Sequence, residues 1–141
     1  MGTPTRLSVA ATAAILTACA TPYKPESVLN QGGYSEQRRA PGVFAVWFRG
    51  NAKTTEDRCE ELAVLRAAEL CLGESKSFMR TSDFQTSSPA AGWVPQQLPH
   101  SALKVECFTE KSADTQEAAE VAASIRKRYG IAARAASTTP D

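Results

Sequence analysis

Four cysteines and one histidine hold most of the chemistry that this chain of 141 residues can offer. The thiols are Cys19, Cys59, Cys71 and Cys107, and the imidazole is His100. A structural zinc needs several thiolate or imidazole ligands at short spacings. No CxxC occurs and the lone histidine sits in "LPHSA", so neither a metal nor another cofactor is expected. A hydroxyl or thiol nucleophile needs a neighbouring base. Only His100, beside Ser101, could serve as one, and no GxSxG elbow accompanies it. The expectation is a chain without catalytic residues; the alternative is a small hydrolase using His100 and Ser101.

Cys19 differs from the other thiols in its surroundings. Arg6 is the one charged side chain before it, and an uncharged run of twelve residues, Leu7 to Ala18, leads up to it. That run is too short to span a bilayer, which takes ~20 residues. A cation, a short apolar stretch and small residues at its end describe an export leader over residues 1–18. The sequence "LTAC", Leu16 to Cys19, resembles the lipobox of bacterial lipoproteins. The resemblance implies cleavage between Ala18 and Cys19, a diacylglycerol on the Cys19 sulfur and an acyl chain, such as palmitate, on the new amino terminus. Two or more chains anchor a protein stably, whereas one binds only marginally. Ala20 follows the cysteine. In lipoproteins that this chain resembles, an Asp there often retains the protein in the inner membrane, so Ala20 implies the outer membrane, facing the periplasm. The alternative is a soluble secreted domain cut elsewhere.

Composition agrees with one exported domain. The chain is 43% apolar and 22% charged, which excludes a disordered polymer and a multi-spanning membrane protein. Lys and Arg number 16 against 15 acidic residues, leaving no basic field for nucleic acid. With Cys19 modified, three cysteines remain. Cys59 and Cys71 lie twelve residues apart within one helical pattern, ~18 Å along its axis, too far to bridge. The open alternatives are a Cys71–Cys107 disulfide, a Cys59–Cys107 disulfide, or three buried thiols.

The elements that must position these groups form a ββαββα order. "GYSEQRR" and "GVFAVWFRG" read as a hairpin across "APG", with Phe44, Val46 and Phe48 on one face and Trp47 and Arg49 on the other. Thr54 is a candidate cap for a helix ending near Gly73, whose apolar stripe runs through Leu62, Leu65 and Leu72. "SFMRTSDF", with Phe78 and Phe84 on one side, and "SALKVECF", with Leu103, Val105 and Cys107 inward, read as strands. Asp114 and Glu117 resemble a capping box for a second helix, striped by Ala118, Val121, Ile125 and Tyr129 and stopped at Gly130. The predicted fold is a single α+β domain over residues 33–130, a mostly antiparallel sheet with two helices on one face. Residues 19–32, with Pro22 and Pro25, read as a lipidated cysteine and flexible tether, and 131–141 as a disordered tail.

Partner-binding candidates are Trp93 in the proline-rich stretch, the Trp47 and Arg49 face, and Arg66. Arg66 and Glu69 are spaced to pair on a helix surface. Gly50 and Asn51 in "FRGN" are expected to supply positive φ to a turn.

"TPYKP", "GGYSEQR", "FRGN" and "LRAAEL" together resemble the conserved blocks of a family of small proteobacterial outer-membrane lipoproteins without assigned activity. The resemblance covers roughly residues 19–84. Near the end of that span the chain departs, with "ESKSFMR" where the family has Tyr-Asp-Tyr-Phe, and beyond it "CFTEK" stands where the family has Met-Phe-Lys-Gly. The resemblance supports location and fold; the reading of the whole chain is a domain held to the membrane by its lipid anchor, with an envelope protein or cell-wall component as the further partner. The resemblance implies no catalytic residue.

Overall fold

Alternation builds the sheet. The structure is a computed structural model that describes residues 20–27, 29, 32–87 and 98–133. Strand β1, Gly33–Ala40, turns at Pro41-Gly42 into β2, Val43–Arg49. Gly42 takes φ +70 there, where a side chain would be strained. Helix α1, Glu56–Gly73, follows, then β3, Phe78–Ser87, and β4, His100–Phe108. A two-residue strand β5, Gln116–Glu117, precedes helix α2, Ala118–Tyr129. The sheet order is β1-β2-β4-β3-β5, with every neighbouring pair antiparallel. The α+β fold and the ββαββα order of the main elements therefore stand, with β5 added.

The core lies on one face. Phe44, Val46 and Phe48 of β2 and Leu103, Val105 and Cys107 of β4 are buried there with Met79 of β3. Helix α1 covers them, and α2 packs chiefly against α1. Having neighbours on two sides, α1 buries Cys59, Leu62, Ala63, Leu65, Ala67, Ala68 and Cys71 rather than a narrow stripe. The alanines let sheet and helix backbones approach closely. Leu72, expected inside, is 38% exposed, on a side of the last turn that no element among the described residues covers.

Several local expectations are corrected. The α1 cap is Thr55, whose side chain accepts from Arg58 N, because the Thr54 hydroxyl is occupied elsewhere. Gly73 stays helical; Glu74 is the C-cap and Ser75 takes the positive φ of 58°. The capping box does not form: Glu117 precedes α2 with no side-chain cap bond, and Gln116–Glu117 pair instead with Phe78 and Met79. A register shift in β3 between Ser82 and Gln85, with Asp83 at φ 56, puts Gln85 rather than Phe84 in step with Phe78. Phe84 is 44% exposed as a result.

The expected tether is docked where it is described. Lys24 O accepts from Tyr34 N at 2.9 Å and Glu26 N donates to Tyr34 O at 2.8 Å. Thr21 is buried. Ile131, assigned to the tail, packs against the core, and its amide donates to Arg126 O at 2.9 Å. The leader 1–18, Cys19, Trp93 and residues 134–141 lie outside the described residues.

Candidate functional site

Side chains of β2 and β4 that turn away from the core form a sheet face that neither helix covers among the described residues. Register pairs Val43 with Glu106, Ala45 with Lys104, Trp47 with Ala102, and Arg49 with His100. Trp47 is half-buried between Ala102 on one side and Ser35 of β1 on the other. Small flanking residues leave its ring the largest apolar feature in the middle of this face. Arg49 is more than half exposed and pairs with Glu26 at 2.9 Å. Farther along, Arg80 bonds Glu106 at 2.9 Å and Asp114, and its guanidinium lies 5.0 Å over the Phe108 ring. These bonds raise the Arg80 pKa and hold the Asp114 and Glu106 carboxyls below their ordinary range.

Arg66 belongs elsewhere. It sits on the helix side of the sheet, bonded to Glu36 at 2.7 and 3.1 Å and to Glu69 at 3.1 Å, with its guanidinium 4.5 Å over the Tyr34 ring. Glu69 also accepts from Tyr23 Oη at 2.6 Å and from Arg126 at 2.9 Å. This carboxylate therefore ties the N-terminal segment, α1 and α2 together. Burial, followed by its bond to Glu69, drives the Tyr23 phenol pKa upward. Arg66 is a clamp within the fold, not a free recognition group beside Trp47 and Arg49.

His100 and Ser101 do not pair. Adjacent residues of a strand project to opposite faces: His100 is exposed on the open face, while Ser101 is fully buried, its Oγ 3.3 Å from Thr86 Oγ. The imidazole cannot take the proton of that hydroxyl, so the hydrolase alternative loses its nucleophile. Among the described residues no group of three or more His, Cys, Asp or Glu could hold a metal ion.

Cys71 and Cys107 form a disulfide that joins the end of α1 to β4. Cys59 remains a buried thiol, its Sγ 3.5 Å from Pro99 O. Burial pushes it up to about 11, against nucleophilic reactivity. "FRGN" is explained by the same thiol. Neither Gly50 nor Asn51 has positive φ. A Cβ on Gly50 would meet Thr54 Cβ at 2.6 Å and Cys59 Sγ at 2.9 Å, so glycine is required by close approach. Asn51 Oδ1 accepts from Lys53 N at 2.9 Å, closing the turn into α1. Sequence reasoning also missed the Tyr23–Glu69 bond; its partners lie 46 residues apart and no local pattern signals them.

A groove of about 410 Å³ runs between the helices, with Val64, Val121 and Ile125 among Glu60, Glu61 and Glu120. Arg128 and the Tyr129 hydroxyl both engage Glu61 beside it. Its lining includes the Ser124 hydroxyl, with no imidazole or thiol beside it among the described residues.

Compared with models of known protein families, with curated proteins and with solved structures, the chain matches none.

Proposed function

We propose that the chain is a lipid-anchored cell-envelope protein, acylated at Cys19, held in the outer membrane and facing the periplasm. Its domain acts by binding an envelope protein or cell-wall component, not by catalysis. The observation that carries the reading is Leu16-Thr17-Ala18-Cys19, closing an apolar run of leader length. The Cys71–Cys107 disulfide supports it, because such bonds persist in oxidising compartments such as the periplasm. The open face around Trp47 supports the binding role, since a half-buried aromatic among small and charged neighbours is a favourable contact centre. Anchoring raises the concentration of this face for partners on the same membrane without new contacts.

The test is intact mass and detergent partitioning of the protein expressed in a Gram-negative host, beside Cys19→Ser. The wild type should begin at an acylated Cys19 and enter the detergent phase, and the variant should stay in water. Two water-soluble proteins would refute the anchor.

A further inference from the structure

We infer that the domain rides directly against the lipid headgroups with one defined end down, rather than swinging on a tether. This inference rests on the acylation of Cys19. Only Ala20 separates Cys19 from Thr21, two steps of chain with a reach of at most ~7 Å. Thr21 is already fixed. It is 3% exposed, its amide donates to Thr54 Oγ1 at 3.1 Å, and its Oγ1 lies 3.1 Å from the same oxygen. Two further attachments follow at once: Tyr23 bonds Glu69 and its ring lies 4.8 Å from Tyr34, and Lys24 and Glu26 bracket the Tyr34 backbone. Pro22, between them, has no amide hydrogen and a fixed φ, which stiffens the approach.

The acyl chains are therefore drawn to the end of the domain that holds Thr54. That end comprises the turn from Gly50 to Thr55 and the start of β4, where Gly50 N donates to Pro99 O at 2.8 Å. The opposite end holds the Pro41-Gly42 hairpin, whose Gly42 O accepts from Cys107 N. Strand β2 runs between the two ends, a rise of roughly 20 Å. Charges at the lower end are mixed, with Lys53 and Arg49 beside Glu26, Glu56 and Asp57. Apposition is set by the short attachment and requires no anionic lipid.

The acylated protein, purified from membranes, is reconstituted in phosphatidylcholine vesicles containing a headgroup-quenching lipid. A fluorescent residue replaces Lys53 in one sample and Pro41 in another; both positions are exposed. The expected result is loss of most emission at position 53 and retention at position 41. A flexible Gly-Ser spacer inserted between Ala20 and Thr21 should restore the emission at position 53. Equal quenching at the two positions would overturn the inference, as would quenching at 53 that survives the spacer. The mass of the same sample separates the two levels: an unacylated chain that fails to float with vesicles overturns the anchor itself, while an acylated, floating chain quenched equally overturns the orientation alone.

Discussion

Reduction of the Cys71–Cys107 bond is the most informative perturbation of this domain. The bond spans 36 residues of sequence. Cross-linking a loop of that length removes about 4 kcal/mol of chain entropy, expressed as free energy at 25 °C, from the unfolded state. Domains of this size have a total stability of ~5–15 kcal/mol, so the reduced protein should lose about a quarter or more of it. The assay is urea unfolding of the chain from Ala20 onward, oxidised and with excess dithiothreitol, followed by circular dichroism. With a urea dependence of ~1–3 kcal/mol per molar, the midpoint should fall by roughly 1.3–4 M. Reduction is a cleaner perturbation than substitution because both sulfurs are retained. Thiol titration of the oxidised, unfolded chain should find one free group, Cys59. An unchanged midpoint, or three titratable thiols, would refute the pairing and with it the main structural support for an oxidising compartment.

Gly50→Ala forces a Cβ to within 2.6 Å of the buried Thr54. It should cost about 1–3 kcal/mol, towards the upper end because no flexible side chain can yield, and an unshifted thermal midpoint would show the approach to be looser than described. Above pH 9.0, the ordinary thiol value, unfolded Cys59 ionises while the folded thiol, near 11, keeps its proton. The folded state then binds more protons, so stability falls as pH rises from about 9 to 11, by at most roughly 2–3 kcal/mol; Cys59→Ala should flatten this decline in urea midpoint against pH. Glu106 and Asp114 titrate below their ordinary range because they bond Arg80, so the folded state binds fewer protons than the unfolded one. Their contribution is present above the ordinary carboxylate range and is lost as pH falls through the lowered values. Arg80→Met should therefore reduce the acid sensitivity of the urea midpoint, and an identical acid limb would refute the assignment.

What the sequence made legible was governed by local repetition. β2 and β4 alternate strictly, so Phe44, Val46 and Phe48 and Leu103, Val105 and Cys107 declare their face without knowledge of the partner strand. Gly130, at φ 65, ends α2 as its position after Arg126, Lys127 and Arg128 suggests. Features fixed by distant partners were not legible. Thr21 and Tyr23 sit in a proline-bearing stretch that looks like linker, and only Thr54 and Glu69, 33 and 46 residues on, turn it into part of the domain. Gln116 and Glu117 look like a helix start because their role, pairing at the sheet edge, depends on β3. Of the candidate contact residues, Trp47 and Arg49 share one sheet face, whereas Arg66 pairs with Glu69 as its spacing suggests and also with Glu36 of β1, a partner no local pattern signals.

The separation of Cys59 from Cys71 along α1 bears on how the chain acquires its correct bond. An unfolded chain with these three thiols can oxidise in three ways. Closing the short Cys59–Cys71 loop is easier than closing the native one by ~1 kcal/mol, since loop entropy grows with the logarithm of length. Chain statistics alone thus favour a wrong product. Helix formation takes on the order of a microsecond, whereas disulfide chemistry takes seconds or longer. Once α1 forms, it acts as a ruler that holds Cys59 and Cys71 ~18 Å apart. Burial of Cys59 beneath Gly50 then withdraws the odd thiol from exchange. The helix that builds the core also proofreads the oxidation.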